Sequence, residues 1–246
     1  MALDVPSATQ ARQIVHTIGE AATTYKIGKQ LFTAEGPQVV RDLVSSGRRV
    51  FLDLKFHDIP NTVAAAVKAA AELGASMLTV HASGGGKMLK AAVEAAQYPM
   101  TARLSGPERA GVKPSAGPMI LAVSVLTSLS DSDLQELGIS GNVLSQVLRL
   151  GALARSAGCG GLVASAQEAR ELRRELGEGF AIVSPGIRPA GSASNDQVRV
   201  VTPSDAIAAG ATYLVVGRPI LDAPYPAQAA EAIVKQIEEV QSVTYR

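Results

Sequence analysis

The chain has 246 residues, a formal net charge of +1, 47% hydrophobic residues and 18% charged residues. This composition excludes a disordered chain, and the balanced charge excludes a strong field for holding nucleic acid or an anionic membrane. A single cysteine, Cys159, excludes an internal disulfide framework and suits a reducing compartment. No apolar run is long enough to span a bilayer and no signal-peptide pattern is present, so we expect a soluble cytoplasmic protein.

Short, almost continuously apolar runs recur along the chain and predict eight β-strands. Continuous rather than alternating hydrophobicity is typical of parallel strands that are covered on both faces. The predicted strands are Met1–Leu3, Thr23–Ile27, Arg49–Leu54, Met77–His81, Met119–Val125, Gly161–Ala164, Phe180–Ser184 and Thr212–Val216.

Amphipathic segments between these runs predict helices. One apolar stripe falls within residues 39–44 and a second within residues 143–148. Thr202 followed by proline is typical of a helix start, and Ser165 with Glu168 has the spacing of a capping box. Three glycines lie just beyond helical runs, where a glycine often ends a helix. They are Gly47, Gly74 and Gly210.

Eight strand–helix units with right-handed crossovers predict an α/β protein, a single-domain (β/α)8 TIM barrel over residues 1–246. A doubly wound open sheet is the alternative. No shift in composition marks a domain boundary. Two long segments rich in Gly, Pro and Ser, 99–117 and 185–197, are predicted loops, and loops of that length are often functional lids or disordered.

Polar residues collect where the predicted strands end, which is where barrel enzymes carry their chemistry. Asp53 and Lys55 lie two residues apart on one strand, so their side chains are expected on the same side. That side faces the barrel interior if Leu52 and Leu54 pack against helices. Opposite charges buried there must be paired. A solvent-exposed ion pair on an edge strand is the alternative.

A second group of candidates follows the seventh and eighth strands. Arg188 comes after one of these strands, and Gly217-Arg218 comes after the other. In barrels of this kind these two loops commonly form a phosphate site. Glycine allows close approach of the backbone, and arginine offers a fork of donors that suits phosphate. Two ordinary surface arginines are the alternative.

Other candidates carry weaker signals. His81 is expected to be structural, and His57 is expected to point away from Lys55. The glycine-rich segment 83–87 lacks the full spacing of a phosphate loop and is expected to open a helix. Cys159 has no adjacent base, and no His, Cys and carboxylate cluster has metal-ligand spacing.

The segment 53–62, DLKFHDIPNT, closely resembles the signature of the orotidine 5'-phosphate decarboxylase family in its bacterial form. Companion segments in the same order extend the resemblance over essentially the whole chain. They are Ala2–Asp4, Lys26–Gly28, Val80–Gly85, Val125–Ser128, Pro185–Arg188 and Val216–Ile220. Family members usually have several residues before the Ala-Leu-Asp segment, so the first strand is expected to be short.

The resemblance implies a homodimeric barrel that converts orotidine 5'-monophosphate to uridine 5'-monophosphate and CO2 without cofactor or metal. This reaction is the last step of de novo pyrimidine nucleotide synthesis. By resemblance, Lys55 protonates C6 and Asp53 faces the substrate carboxylate, while Asp58 and Thr62 reach in from the partner subunit. The implied catalytic residues form a Lys-Asp-Lys-Asp network of alternating charge. They are Lys26, Asp53, Lys55 and Asp58.

The resemblance also implies the residues that bind substrate. Asp4 and Lys26 bind the ribose hydroxyls, and Ser124 and Thr127 lie near the pyrimidine. Four residues hold the phosphate, one of them on the 185–197 loop. They are Arg188, Gln197, Gly217 and Arg218. Ile59 and Thr62 complete the implied substrate-binding set.

Two alternatives to this activity stay open. One is a sister enzyme on the same scaffold, such as a hexulose-phosphate synthase or a keto-gulonate-phosphate decarboxylase, using Mg2+ and a different set of carboxylates. The other is a non-catalytic nucleotide-binding barrel, which would need a broken charge network.

Overall fold

A computed structural model describes residues 1–97, 117–189 and 201–244 of the chain. Its strands form one seven-stranded parallel sheet in which spatial order follows chain order. The strands are β1 Thr24–Gly28, β2 Arg49–Phe56, β3 Met77–His81, β4 Met119–Val123, β5 Gly161–Val163, β6 Ala181–Ser184 and β7 Tyr213–Leu214. This sequential parallel order is the one expected when a helix follows each strand on the same side.

Helices alternate with these strands along the described parts of the chain. The first six are α1 Ala8–Ile18, α2 Lys29–Glu35, α3 Gln38–Ser45, α4 Pro60–Ala71, α5 Gly85–Ala96 and α6 Asp131–Glu136. The others are α7 Val143–Ser156, α8 Ala169–Leu176, α9 Pro203–Ala208, α10 Arg218–Leu221 and α11 Pro226–Thr244. None of the helices in the described ranges is both long and apolar enough to cross a membrane.

The predicted first strand, Met1–Leu3, is wrong in extent, because it is reduced to a single parallel bridge between Ala2 and Lys26. The amide of Ala2 donates to the carbonyl of Val216 at 2.7 Å, and the amide of Leu3 donates to the carbonyl of Lys26 at 2.9 Å. The segment therefore contacts both the first strand and the end of the last one.

The other seven predicted strands are confirmed, β3 with its predicted bounds and the other six with shifted ends. The predicted Thr212–Val216 strand is reduced to the two residues of β7, whereas β2 runs on to Phe56, beyond the predicted Leu54. The β2–β3 register shifts between Leu52 and Phe56. That irregularity lies at the Asp53–Lys55 segment, so β2 departs from a regular ladder at the polar residues.

Successive strand residues belong to different hydrophobic clusters, which shows that the sheet is buried on both faces. One small cluster consists of Phe51, Met77, Leu121 and Val183. Their chain neighbours, such as Leu52 and Leu78, belong to a much larger cluster shared with the helices. The small cluster therefore marks the inner face of a curled sheet, and the large cluster fills the space between sheet and helices.

Most of the predicted helix signals are confirmed. The two apolar stripes lie on α3 and α7, and the Thr202 side chain accepts a hydrogen bond from the amide of Asp205 at the start of α9. The predicted Ser165–Glu168 capping box is wrong: Ser165 accepts from the amide of Gln167, and residues 166–168 form a short 3₁₀ turn before α8. A tight turn at that point places the Glu168 side chain in a buried position instead.

Gly47, Gly74 and Gly210 all have positive φ and follow helices, as predicted. Of the predicted 99–117 loop, only Gly117 is among the described residues. Of the predicted 185–197 loop, residues 185–189 are described and the remainder lies outside the described residues.

Candidate active site

A cavity of about 240 Å³ lies at the carboxyl ends of the strands. Charged and polar lining residues come from almost every strand end that the sequence singled out. They are Asp4, Lys26, Asp53, Lys55, Thr127, Arg188 and Arg218, and Gly217 lines the cavity beside Arg218. Apolar residues form the remaining wall, among them Phe51, Val123, Val163 and Val215. Because parallel strands end at one edge, residues far apart in sequence meet here.

A chain of alternating charges runs through this cavity. Lys26 Nζ lies 3.0 Å from Asp4 Oδ1 and 3.6 Å from Asp53 Oδ2. Lys55 Nζ donates to both carboxylate oxygens of Asp53, each at 2.8 Å. Asp53 is thus held between two ammonium groups. The predicted pairing of Asp53 with Lys55 on one side of the strand is confirmed, and an exposed edge pair is excluded because Asp53 is buried.

The environment of Asp53 favours its ionised form. Burial alone would raise the pKa of this carboxyl group. The positive charges of Lys55 and Lys26, with hydrogen bonds from Lys55 and Thr79, outweigh burial and lower the pKa below its usual value. Asp53 is therefore a carboxylate at neutral pH.

Lys55 has an unusual backbone conformation. Among the described residues it is the only non-glycine residue with a positive φ, at 54°. Its amide donates to the side-chain hydroxyl of Thr79 at 2.9 Å. A left-handed conformation in a residue with a side chain costs about 1 kcal/mol, so the surrounding contacts must hold it. This strained residue lies within the register shift of β2.

Two arginines lie in the cavity wall at the predicted phosphate loops. Arg188 is buried and follows β6, and its Nη1 donates to the carbonyl of Ile187 at 3.2 Å. Arg218 is the first residue of α10, and Gly217 is the N-cap of that helix. Both arginines line the same cavity as Asp53 and Lys55, so they are not two unrelated surface arginines, and their binding of phosphate stays a prediction.

Several predicted residues are not among those that line the cavity. Asp58, Ile59 and Thr62 are exposed around the start of α4, and Asp58 Oδ1 accepts from the amide of Ile59 at 2.6 Å. Ser124 is buried, and its hydroxyl donates to the carbonyl of Val163 at 2.8 Å. Gln197 lies outside the described residues. The roles assigned to these five residues by resemblance stay predictions.

Two histidines lie beside the site. The rings of His57 and His81 are 5.5 Å apart. Burial is the largest cause that lowers the pKa of His81. The charges of His57, Lys55 and Lys29 lower it further. His57 is exposed and neither ring is among the cavity-lining residues, in keeping with the predicted structural character of His81. Across the described ranges, no three His, Cys, Asp or Glu side chains are grouped so that they could hold a metal ion.

Sequence reasoning missed Thr79, which hydrogen-bonds to both Asp53 and Lys55. A signal was available: Thr79 lies two residues after Met77 and two before His81, so it shares the inner face of β3. A hydroxyl at an inward position of a buried strand needs a partner. The apolar wall was also missed, although its residues lie at the ends of predicted strands.

Comparisons with known proteins agree with this geometry. A family model described as "Orotidine 5'-phosphate decarboxylase / HUMPS family" matches residues 1–233. The orotidine 5'-phosphate decarboxylase of Nitrosococcus oceani is 47% identical over 241 residues, which cover 98% of this chain and 97% of that relative. That of Idiomarina loihiensis is 48% identical over 239 residues, covering 97% of each chain.

A solved structure of an orotidine 5'-phosphate decarboxylase, from Lactobacillus acidophilus, has the same overall architecture. Its TM-score is 0.81 at 37% sequence identity, with 96% of each chain covered. The similarity in sequence and in fold spans nearly the full length, so the chain belongs to the orotidine 5'-phosphate decarboxylase / HUMPS family of enzymes.

Proposed function

We propose that this protein decarboxylates orotidine 5'-monophosphate to uridine 5'-monophosphate and CO2, the last step of pyrimidine nucleotide synthesis. The observation that carries the proposal is one cavity that joins the Asp53–Lys55 pair to Arg188 and Arg218. A nucleotide with a reacting carboxylate and a distant phosphate matches that distribution of charge. The curated relatives described above bear the name of this activity.

Lys55 supplies the reacting charge in this proposal. Loss of CO2 from C6 leaves an electron pair on a carbon with no adjacent carbonyl group to delocalise it. A fixed ammonium group stabilises that charge as it develops and then gives its proton to C6. No cofactor is needed, because the bond that breaks leaves its electrons on C6 and the proton from Lys55 neutralises them. The 2.8 Å contacts to Asp53 hold Lys55 Nζ in place.

Asp53 and Lys26 complete the catalytic set on this chain. An ionised Asp53 beside the substrate carboxylate places two like charges together in the ground state, and departure of CO2 removes one of them. Lys26 lies between Asp53 and Asp4, so it can offset part of that charge while Asp4 and Lys26 bind the ribose hydroxyls. Thr127 in the cavity wall and the buried Ser124 are assigned to the pyrimidine.

The phosphate is assigned to Arg188, Gly217, Arg218 and Gln197. This group is remote from C6, so its binding energy aids the reaction by fixing the position of the nucleotide. Arginine forks and backbone amides near a glycine suit phosphate oxygens. The buried position of Arg188 and the place of Gly217 and Arg218 at the start of α10 support this assignment.

We propose further that the protein is a single-domain, eight-stranded barrel that works as a cytoplasmic homodimer. The hydrogen bonds of Ala2 and Leu3 to Val216 and Lys26 support closure of the sheet by the Met1–Leu3 segment. Asp58, Ile59 and Thr62 would reach the partner's cavity, and their exposure supports this assignment. The single cysteine supports a reducing compartment.

The test is conversion of orotidine 5'-monophosphate, followed by ultraviolet absorbance with and without EDTA. We expect conversion that the chelator does not affect. In parallel, hexulose phosphate and keto-gulonate phosphate are offered with Mg2+. Turnover of a sugar phosphate that requires Mg2+, with none of the nucleotide, would show a sister enzyme instead. Nucleotide binding without turnover would show a binding barrel.

A further inference from the structure

Thr79 is a fully buried polar residue in the middle of β3 that no part of the proposed chemistry uses. Its hydroxyl is 2.9 Å from the amide nitrogen of Lys55 and 2.9 Å from Asp53 Oδ1. It is not among the residues that line the cavity. Thr79 therefore contacts both Asp53 and Lys55 through one oxygen atom, although it does not line the cavity.

The direction of both hydrogen bonds is fixed by chemistry. A backbone amide can only donate, so the Thr79 oxygen accepts from Lys55. The hydroxyl proton is then free to be donated to Asp53, whose carboxylate can only accept. A single hydroxyl thus links the backbone of one reacting residue to the side chain of the other. A valine of the same shape would fill the space but make neither bond.

These two bonds act at the irregular point of β2. The register shift beside Lys55 removes it from the regular ladder, and the hydroxyl of Thr79 serves as the acceptor for its amide. Lys55 also has the positive φ that a side chain disfavours. Without its hydrogen bond to Thr79, the backbone of Lys55 loses a contact that opposes its return to an extended conformation. The direction of Lys55 Nζ depends on that backbone.

We propose that Thr79 is a positioning residue for the decarboxylation. Its hydroxyl sets the Asp53 carboxylate and the Lys55 backbone in one arrangement, so that the ammonium group is aimed at C6. The inference rests on the proposed function of the cavity. It goes beyond that function because it assigns a role to a residue that does not touch the substrate.

The test compares Thr79→Val, which removes the hydroxyl at constant shape, with Thr79→Ser, which keeps it. We expect kcat of Thr79→Val to fall about 10- to 100-fold, because a small displacement of reacting groups is costly. Its KM should change less than about threefold, since Thr79 does not line the cavity and phosphate binding is left intact. Thr79→Ser should stay within about threefold of the unmodified enzyme in both constants.

A purely structural role predicts a different pattern. Equal losses in Thr79→Val and Thr79→Ser would overturn the proposal, because packing and not the hydroxyl would then matter. An unchanged kcat in Thr79→Val would overturn it as well. Should the valine variant fail to fold in a thermal melt, Thr79→Ala removes the same hydroxyl with a smaller side chain, and the same expectations apply to it.

A second readout does not depend on turnover. The groups that face Asp53 are Lys26 on β1, Lys55 on β2 and Thr79 and His81 on β3. Loss of the Thr79 hydroxyl removes a bond that stabilises the carboxylate, so the pKa of Asp53 rises. Carbon-13 titration of the Asp53 carboxyl should show this rise in Thr79→Val and not in Thr79→Ser.

The two readouts separate the inference from the proposed function. An unmodified enzyme that does not convert orotidine 5'-monophosphate defeats the function, whatever the titration shows. An active enzyme whose Asp53 pKa is the same in Thr79→Val defeats the role of Thr79 alone.

Discussion

At the scale of single residues, Asp53 is the centre of the site. Its carboxylate contacts Lys55 at 2.8 Å and Lys26 at 3.6 Å, and the side chains of Asp53 and Lys26 are each only 12% exposed. The Lys55 side chain is 24% exposed, so both lysines that contact Asp53 are largely removed from water and need its negative charge between them. Asp53 therefore supports the fold as well as the reaction, and its removal would leave two lysines facing each other.

Replacing this carboxylate by a neutral amide should be costly. For Asp53→Asn we expect the free energy of unfolding at pH 7 to fall by about 3 kcal/mol, because a buried ion pair loses one partner. Urea denaturation measures it. The matched control is Asp42→Asn, which breaks the exposed Arg12–Asp42 pair. That change should cost less than about 1 kcal/mol. An Asp53→Asn variant as stable as the unmodified protein would contradict the expectation.

At the scale of elements, much of the architecture follows from the pattern of apolar residues. Continuous apolar runs located seven of the strands, and the alternation of Asp53 and Lys55 placed both side chains in the cavity. These features depend on local sequence and burial alone. The roles of individual residues came from the resemblance to the family. For the residues that line the cavity, the arrangement of their side chains supports those roles.

Other features at this scale could not be predicted, because they depend on contacts between elements. The register shift in β2 and the positive φ of Lys55 occur where the Lys55 amide donates to the hydroxyl of Thr79 on the next strand. The reduction of Met1–Leu3 to a bridge depends on how Ala2 meets Val216. Ser165 has a capping-box spacing, yet the chain turns too tightly there for that motif.

The N-terminal cap of α7 tests the stability of a helix separately from the candidate active site, because Asn142 does not line the cavity. The side chain of Asn142 accepts a hydrogen bond from the amide of Ser145 at 2.9 Å, and this helix packs on α5, α8 and β5. Asn142→Ala should cost about 1 kcal/mol and lower Tm by about 2–4 °C. Asn142→Ser keeps an acceptor and should be nearly neutral. Calorimetry checks both, and equal melting temperatures for the two variants would show that the cap contributes nothing.

At the scale of the whole molecule, we propose that the site is shared between two subunits. Ile59 is 66% exposed, a large value for an apolar side chain, and it lies between Asp58 and the start of α4. A second subunit would cover this surface and bring Asp58 and Thr62 to the neighbouring cavity. Each cavity would then combine Lys55 of one chain with Asp58 of the other.

Mixing two inactive variants tests this arrangement. Lys55→Ala and Asp58→Ala should each be nearly inactive alone. Unfolded together and refolded, they should recover about a quarter of the unmodified activity, because half of the dimers are mixed and each carries one intact site. Turnover of orotidine 5'-monophosphate and the mass of the refolded species are measured together. Activity that stays at the level of the separate variants would mean that both residues serve the same subunit's cavity.

The central claim is that the ammonium group of Lys55 drives the loss of CO2, and one comparison tests it most directly. Lys55→Ala is measured beside Lys90→Ala, which removes an exposed lysine paired only loosely with Glu94 at 4.0 Å. With both variants shown to be folded, we predict that kcat/KM of Lys55→Ala falls by at least about 1,000-fold while Lys90→Ala is unchanged. A folded Lys55→Ala variant that keeps a tenth or more of the unmodified activity would contradict the account.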